Sequence, residues 1–538
     1  MFTTRRARSS DVGRMRDLFV QVYGQGYPFK GFYDTEWLTK LVHDDGTIVY
    51  VGELDGEVVM TVSVNLSVGG MEDMVGEGGR LVAAPDARVR GQDFALRLCR
   101  ELYAETADRV QFLFAEARTP HRASQRILEE MGWTTAGFEP MKYFDGSRRA
   151  STMLSIRLQG MAAELRRNHP RVIPEIALLA KTVLSGVGLP EDVVVVDEES
   201  GYPTDATLQL ERLSANGFAP LLRIERGRVK NREVFGGRIS LSHGFFQISN
   251  SRTEYLVARE RGAVVGAVGF VNDPIDSKVR VFELVEFDDA VKGFLLAAVD
   301  RLAREEFGAA YVEVDVSAFS PRIQRTLQRL GFVPVAYCPS MAFDNVERID
   351  LVRMAKLACP YDPTGMRLTD SCQAVREIVE RSMEHRVLGA EIEQATRDAA
   401  LFRALPEGDR HHLAGICRIA DYPAGTRLAQ QGASGGDEIF ILVSGAAEAV
   451  RDGMTAAALS PGATFGEMAL LGRSRRLVDL VVTRDSRVVT LNVDELGRLM
   501  SARPRLGYSV MRELAAGLGE KLGQLSGETV RTFVHPGA

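Results

Sequence analysis

The sequence predicts an α/β protein: two α/β units in tandem, followed by a β-barrel or jelly roll with flanking helices. A long internal repeat is the first sign. FAEARTPHRASQRILEEMGWTTAGFEPMKYFD, near residue 130, echoes VDVSAFSPRIQRTLQRLGFVPVAYCPSMAFD, near residue 330. Gln125 aligns with Gln324, Arg126 with Arg325, Leu128 with Leu327, Gly132 with Gly331, Pro140 with Pro339 and Asp145 with Asp344. The second sign is a matching hairpin ahead of each copy. VYVGELDGEVVMTVSV turns at Asp55-Gly56 and YLVARERGAVVGAVGF at Arg261-Gly262, each an alternating apolar run around a two-residue turn. The third is a set of short β-rich runs between Tyr422 and Val493, separated by glycine turns.

Each copy therefore reads as hairpin, strand, helix, strand, amphipathic helix, strand. Helices and strands in this order form a twisted sheet with helices on its faces. Gly132 and Gly331 stand where a helix must stop in the left-handed region. Between the copies, GMAAELRRNHPRVIPEIALLAKTVL reads as helical, and LPEDVVVVDEESGYPTD as connector. After Cys359-Pro360, a long polar helix is expected over 370–398, and a helical tail closes the chain. The expected organisation is 1–158, an α/β unit; 159–210, a connector; 211–358, a second α/β unit; 359–400, a helical linker; 401–525, the barrel; and 526–538, a tail.

Composition narrows the function. The chain has 538 residues, enough for three or four domains. Its 66 Lys plus Arg against 72 Asp plus Glu give 66 − 72 = −6, with a pI near 5.9. Hydrophobic residues at 45% and charged ones at 26% are ordinary globular material. A nucleic acid held by bulk charge needs a clustered Lys/Arg excess, so none is expected as partner. Cys99, Cys338, Cys359, Cys372 and Cys417 are scattered, with no CxxC pair, and suggest neither a disulfide framework nor a metal site. The N-terminus lacks the apolar core of a secretion signal, and the most apolar segment, IPEIALLAKTVLSGVGL, is interrupted by Glu175 and Lys181. A cytoplasmic location without a membrane span is expected.

Residues 401–525 resemble the cyclic nucleotide-binding domain family. LFRALPEGDRHHLAGI, YPAGTRLAQQG, IFILVSGAAEAV and FGEMALLGRSRRLVDL appear in the family's order. The last resembles the phosphate-binding cassette, here Phe465, Gly466, Glu467, Met468, Ala469, Arg476 and Leu477. Gly466 allows close backbone approach. Glu467 is an acceptor suited to a ribose 2′-hydroxyl, the turn ALLG presents N–H groups to an anion, and Arg476 offers a fork to a cyclic phosphate. Leu477 follows where the family carries a small residue beside the phosphate, and Asp479 stands where many members carry Thr. The resemblance implies cyclic AMP or cyclic GMP as effector. Only the residues from Ser526 to Ala538 follow, too few for a DNA-binding module.

Both α/β copies resemble the GNAT superfamily of acyl-CoA-dependent N-acyltransferases. VAAPDARVRGQDFALRLCREL looks like its acyl-CoA motif, a strand end, a glycine turn and a helix N-terminus that receives the pyrophosphate. The implied contacts are Leu81, Val82, Ala83, Arg88, Val89, Arg90, Gly91, Gln92, Asp93 and Phe94. Val89 replaces a common glycine, and Asp93, the final Gly or Ala, sits where an acidic residue also serves as a helix cap. The second copy, FELVEFDDAVKGFLLAAVDRLA, lacks the motif and places Glu286, Asp288 and Asp289 there. The superfamily's proton-donating Tyr is Leu128 in one copy and Leu327 in the other. Tyr143 is the substitute donor or a packed aromatic, and Glu116 and Glu77 are candidate bases or solvated carboxylates. His121 reads as a cap-like surface residue, His411-His412 as solvated, and the pair Arg148-Arg149 as an anion contact or a solvated face.

Two readings follow. In the first, acetyl-CoA or another acyl-CoA donates its acyl group to an amine of a protein or small molecule, under cyclic-nucleotide control, with the backbone near Leu81–Ala83 polarising the carbonyl. In the second, the chain is a non-enzymatic sensor or scaffold with degenerate GNAT-like halves. Pairing of the C-terminal helix into a homodimer is compatible with either.

Overall fold

The structure is a computed structural model that describes the chain except residues 28, 69–72, 87–88, 90–92, 146–147, 198–199, 215–232, 236–251, 287–288, 434–436, 473–474 and 535–538. It forms two compact units, Met1–Ser382 and Met383–Ala538.

The first unit opens with β1 (Phe2–Arg6), α1 (Val12–Tyr23), α2 (Thr35–Val42), β2 (Thr47–Leu54), β3 (Glu57–Val68), β4 (Val75–Ala83), α3 (Phe94–Glu105), β5 (Phe112–Arg118), α4 (Ala123–Glu130), β6 (Thr134–Asp145) and β7 (Arg148–Leu158). A connector carries β8 (Arg171–Val172), α5 (Pro174–Gly186) and β9 (Val194–Val195). The second half holds β10 (Gln209–Ser214), β11 (Val234–Phe235), β12 (Arg252–Glu260), β13 (Ala263–Asp273), β14 (Lys278–Glu286), α6 (Ala290–Glu305), β15 (Tyr311–Ser317), α7 (Pro321–Arg329), β16 (Val333–Asp344) and β17 (Glu347–Leu357). The long helix α8 (Asp370–Asp398) follows.

Local chemistry accounts for the element ends. Asp55 and Gly56, and Arg261 and Gly262, all have positive φ, the geometry of a two-residue hairpin turn. Gly132 at φ +76° and Gly331 at +92° end their helices in the left-handed region. Asp34 caps α2 by accepting from the N–H groups of Glu36 and Trp37.

The two halves share one sheet. Its order is β1-β2-β3-β4-β5-β7-β6-β16-β17-β15-β14-β13-β12-β10, a sequence that mirrors itself about the β6/β16 contact. Within it β4–β5 and β14–β15 run parallel, and the other described pairs are antiparallel. The halves meet where Gly137 pairs with Ala336. A Cβ on Gly137 would lie 2.3 Å from the Ala336 Cβ and 2.6 Å from the Val335 carbonyl oxygen, so glycine alone fits.

Reciprocal hydrogen bonds fasten this junction. Arg149 donates to Met141 O at 2.7 Å in its own half and to Asp276 O at 2.9 Å in the other. Arg348 donates to Ser340 O at 2.7 Å in its half and to Asp73 O at 2.7 Å in the other. The Phe144 N–H donates to Asp276 Oδ1 at 3.1 Å, and the Phe343 N–H to Asp73 Oδ1 at 2.8 Å. Arg149 is therefore a junction residue, which corrects its reading as an anion contact or solvated face.

The connectors cross over as well. Gln324 on α7 accepts from the Ile173 N–H at 3.1 Å, and Gln125 on α4 accepts from the Thr369 N–H at 3.0 Å. The chain leaving each half thus packs on the repeat helix of the other. The boundaries expected at 158, 210 and 358 all fall inside one compact unit. Among the described residues of the connector, helix formation is confined to Pro174–Gly186. Pro170 and Pro174 explain this, because proline fits only the first turn of a helix. Helix α8 spans the 370–398 stretch as expected.

The second unit contains α9 (Glu407–Ala414), β18 (Cys417–Tyr422), β19 (Arg427–Ala429), β20 (Glu438–Arg451), β21 (Met454–Leu459), β22 (Thr464–Phe465), β23 (Asp479–Asn492), α10 (Val493–Ala502) and α11 (Pro504–Val534). Its strands form an antiparallel sheet ordered β18-β23-β20-β21, with β19 on β23 and β22 on β20. β20 bends at Gly445, whose φ is +92° and whose Cβ would lie 2.1 Å from Ser486 Oγ. The end of α8, the turn Ala400–Phe402 and helices α10 and α11 cover one face through Ile392, Phe402, Leu496, Leu506 and Val510, packed on Ile439, Ile441 and Val489. The tail expected from residue 526 is helical to Val534.

Candidate functional site

The cassette of the second unit gathers around Gly466. Its φ of +91° is left-handed, and a Cβ there would lie 2.5 Å from both Arg476 Nη1 and Glu438 O. Glu467–Leu471 follow as one short 3-10 turn. Arg476 donates from Nη2 to Glu438 O at 2.6 Å and lies 5.8 Å from the Phe440 ring centroid and 5.6 Å from that of Phe465. Burial pushes the guanidinium pKa down, against the pull of Glu438, Asp437 and Glu467. The Arg is thus held by one corner, half-buried beside the glycine turn. Leu477, expected to stand beside the phosphate, is 71% exposed. Asp479 accepts from the Gln431 N–H at 2.6 Å, a structural bond. Met468 is exposed, and Ala469 donates its N–H to Gly466 O at 3.1 Å within the turn.

In the first half of the first unit, β4 and β5 pair only from Val75 to Gly78 against Phe112 to Ala115. Beyond, β4 pairs with β3 alone, so a wedge opens between Leu81–Ala83 and the end of β5. The register slips by one residue opposite Val62, and Arg80 takes φ +57°, a bulge that re-aims the strand at the wedge. Helix α3 begins at the same end. Arg88, Arg90, Gly91 and Gln92 lie outside the described residues. Val89 is buried. Asp93 sits at the N-cap position, exposed, and its side chain makes no capping bond, which corrects the cap expectation. The Phe94 ring stacks on Phe2 at 4.1 Å, so its side chain packs against the protein and only its backbone remains for a ligand.

The catalytic candidates separate. Glu116 hydrogen-bonds Lys142 Nζ at 2.9 Å and the Tyr143 hydroxyl. Lys142 also reaches Glu139 at 2.8 Å and Glu313, of the second half, at 3.1 Å. Arg353 joins Glu139 at 2.8 Å to Asp315 at 2.7 Å. Burial raises the Glu116 carboxyl, but Lys142, Lys278 and the hydrogen bonds from Tyr143 and Lys142 outweigh it, so its pKa falls below the usual range. A depressed, doubly bonded carboxylate is a poor base. Burial and Glu116 push the Tyr143 hydroxyl far up. Both residues belong to a buried ion network between the halves, which corrects their reading as base and donor. Leu128 and Leu327 are buried.

Glu77 is different. It lies on β4 inside the stretch paired with β5, opposite Phe114 and ahead of the wedge, one-third exposed, with Arg80 Nη1 3.3 Å away. Arg80 also donates to Ser63 Oγ at 2.7 Å. Tyr23 and Tyr27 face each other at 4.9 Å, and Arg118 lies 5.9 Å from the Tyr23 ring centroid. Burial raises the Tyr27 hydroxyl to about 12, with Arg80, Tyr23, Arg118 and Glu77 all within electrostatic reach. These aromatic residues went unread in the sequence, although FVQVYGQGYPFKGFY is dense in rings. His121 offers its carbonyl to Gln125 at 3.2 Å, and the N-cap of α4 is Arg122. Among the described residues no cluster suits a metal ion, and no helix is long and apolar enough to cross a membrane.

The matching wedge of the second half is filled. β11 pairs with Asp315 and Val316 of β15. Lys292 of α6 reaches Glu233 at 2.5 Å, Asp289 at 3.1 Å and Glu286 at 3.3 Å. The connector lies over this helix start, where a Cβ on Gly293 would be 2.3 Å from Pro203 O. Asp288 lies outside the described residues.

Gly466 thus faces Arg476 beside an antiparallel sheet, the pairing that the resemblance to a phosphate-binding cassette leads one to expect. Residues 419–503 match the family model described as the cyclic nucleotide-binding domain, and the chain carries such a domain at its C-terminal end. Glutaminase 1 and Glutaminase 2 of Bradyrhizobium diazoefficiens are similar at 31% identity over 123 residues and 33% over 122, or 23% and 22% of this chain. The chain spans about a fifth of the length of these curated relatives, 20% and 19% respectively. A cyclic nucleotide-binding domain from Methylobacillus flagellatus KT is 21% identical with a TM-score of 0.25, covering 28% of this chain and 85% of that one. The regulatory domain of Toxoplasma gondii PKA with cAMP is 17% identical with a TM-score of 0.24, covering 32% of this chain and 60% of that one.

Proposed function

We propose that the chain is a cyclic-nucleotide-regulated, acyl-CoA-dependent N-acyltransferase with one transfer site, in the first half. The observation that carries this reading is the asymmetry of the wedges: β4 and β5 part beside a helix start, while the equivalent place in the second half holds β11 and the connector. Acetyl-CoA or another acyl-CoA would lie along Leu81–Ala83, with its pyrophosphate at the start of α3, near Arg88, Arg90 and Gly91. Glu77 is the favoured base, and the half-buried Tyr23 ring, backed by the buried Tyr27, the favoured place for an amine of a protein or small molecule. Solvent would protonate the leaving thiolate, since Leu128 has no proton to give. Cyclic AMP or cyclic GMP would bind with its phosphate on Arg476 and its ribose on Glu467. A tenfold preference of the nucleotide for one state of the enzyme shifts its balance by about 1.4 kcal/mol.

A second reading, a non-enzymatic sensor, is favoured by the engagement of Glu116 with Lys142 and Tyr143. Calorimetry of the full chain with acetyl-CoA and with cyclic AMP or GMP separates the two. Heat with both is expected. Arg476→Ala should remove only the nucleotide signal, and Gly91→Glu only that of the coenzyme. No heat with any acyl-CoA leaves the sensor alone, and no heat with either nucleotide sinks the regulatory half.

A further inference from the structure

The fold presents the repeat helix twice, in different surroundings. In the second half, the chain beyond α5 runs back along α7 as an extended strap. Its Asp197 carboxylate lies 3.7 Å from Arg325, which Glu175 also meets at 3.1 Å. The Tyr202 N–H donates to Thr326 Oγ1 at 2.7 Å, and Arg322 lies 4.1 Å over the Tyr202 ring. Helix α7 is thereby met by the carboxylate of Asp197 and by the chain at Gly201–Tyr202.

In the first half α4 takes the place of α7, with Arg126 where Arg325 stands. Helix α8 starts beside it as α5 starts beside α7, and Thr369 Oγ1 donates to Glu129 at 2.6 Å. But α8 continues to Asp398 instead of turning back. What remains is a cleft of about 650 Å³ between α4, the end of α5 and the start of α8. Arg122 and Arg126 line it, both exposed, and among the described residues neither meets a carboxylate. Trp133 lines it too, and its buried Nε1–H has no hydrogen-bond partner. The residue aligned with Glu175 is Ser371; Glu129 and Asp370 also line the cleft, but Glu129 is engaged by Thr369 and Ser371, and among the described residues neither carboxylate pairs with Arg126.

We propose that this cleft docks an extended, carboxylate-bearing segment of a partner protein, laid along α4 as Asp197, Gly201 and Tyr202 lie along α7. The partner's carboxylate would take the place of Asp197, pairing with Arg126 and Arg122. The site is separate from both the wedge and the cassette, and its occupancy depends on neither acyl transfer nor nucleotide binding.

The probe is a labelled peptide with the strap's own sequence, VVVVDEESGYP, titrated with the full chain and followed by fluorescence anisotropy. Saturable binding is expected, weakened at least about tenfold by Arg126→Glu and by Asn at the peptide's first acidic position. Arg301→Glu, an exposed change on α6, should leave it unaltered. No saturation up to about 1 mM, a free energy of only about −4 kcal/mol, overturns the proposal. So does an affinity that Arg126→Glu leaves unchanged, the result expected if the peptide displaced the strap from α7.

Discussion

Gly466 is needed twice, for its left-handed backbone and for the space that Arg476 occupies. Gly466→Ala should therefore destabilise the second unit by about 1–2 kcal/mol and weaken nucleotide affinity, read by thermal unfolding and calorimetry. The residues of the cassette were legible in sequence, but the grip of Glu438 O on Arg476 was not, because it joins a strand to a loop 38 residues further along the chain. Glu116 was misread for the same reason: its environment comes from Lys142 and, through it, from Glu313 in the other half. Glu286 supplies a pH test. Burial raises its carboxyl from 4.5 to about 7, with Lys292 opposing and Glu233 and Asp289 adding to the rise. The folded state then holds a proton that the unfolded state releases. The associated stability is fully present below 4.5 and is lost as pH rises through about 7. Glu286→Gln should flatten that slope, as denaturant midpoints at about pH 5 and about pH 8 would reveal.

Among the elements, α8 was readable as a long polar helix, and the hairpins were readable from their turns. The stretch from 159 to 170 was not, because its apolar spacing suits a helix while Pro170 and a left-handed His169 at φ +59° forbid one. The end of α8 is tied to the barrel by Glu391 and Arg487, at 2.6 Å and 2.9 Å in a two-pronged contact. Arg487 also meets Asp421 at 2.8 Å. The pair is about one-third exposed, so solvent screening limits its worth. Arg487→Ala should cost the second unit at most about 1 kcal/mol, and added salt should shrink the difference from the parent protein in the same thermal melt.

At the scale of the molecule, duplication was legible and its geometry was not. Repeat spacing says that two copies exist; pairing of β6 with β16 comes from contacts between distant residues. Gly137→Val is the sharpest test of that junction, since its side chain would meet Ala336 and Val335 in the middle of the sheet. A loss of about 1–3 kcal/mol is expected, with a lowered urea midpoint for the first unit. The mirrored order also determines where the sheet ends. With β6 against β16, the sheet terminates at β1 and β10, and two strands that would each be an open border lie side by side instead. Residues 1–158 alone would leave β6 as an unpaired edge, and such an edge recruits other strands. That fragment should self-associate in light scattering where residues 1–382 stay discrete. On that outcome the duplication protects against aggregation, and loss of the seemingly idle half shows first as insolubility.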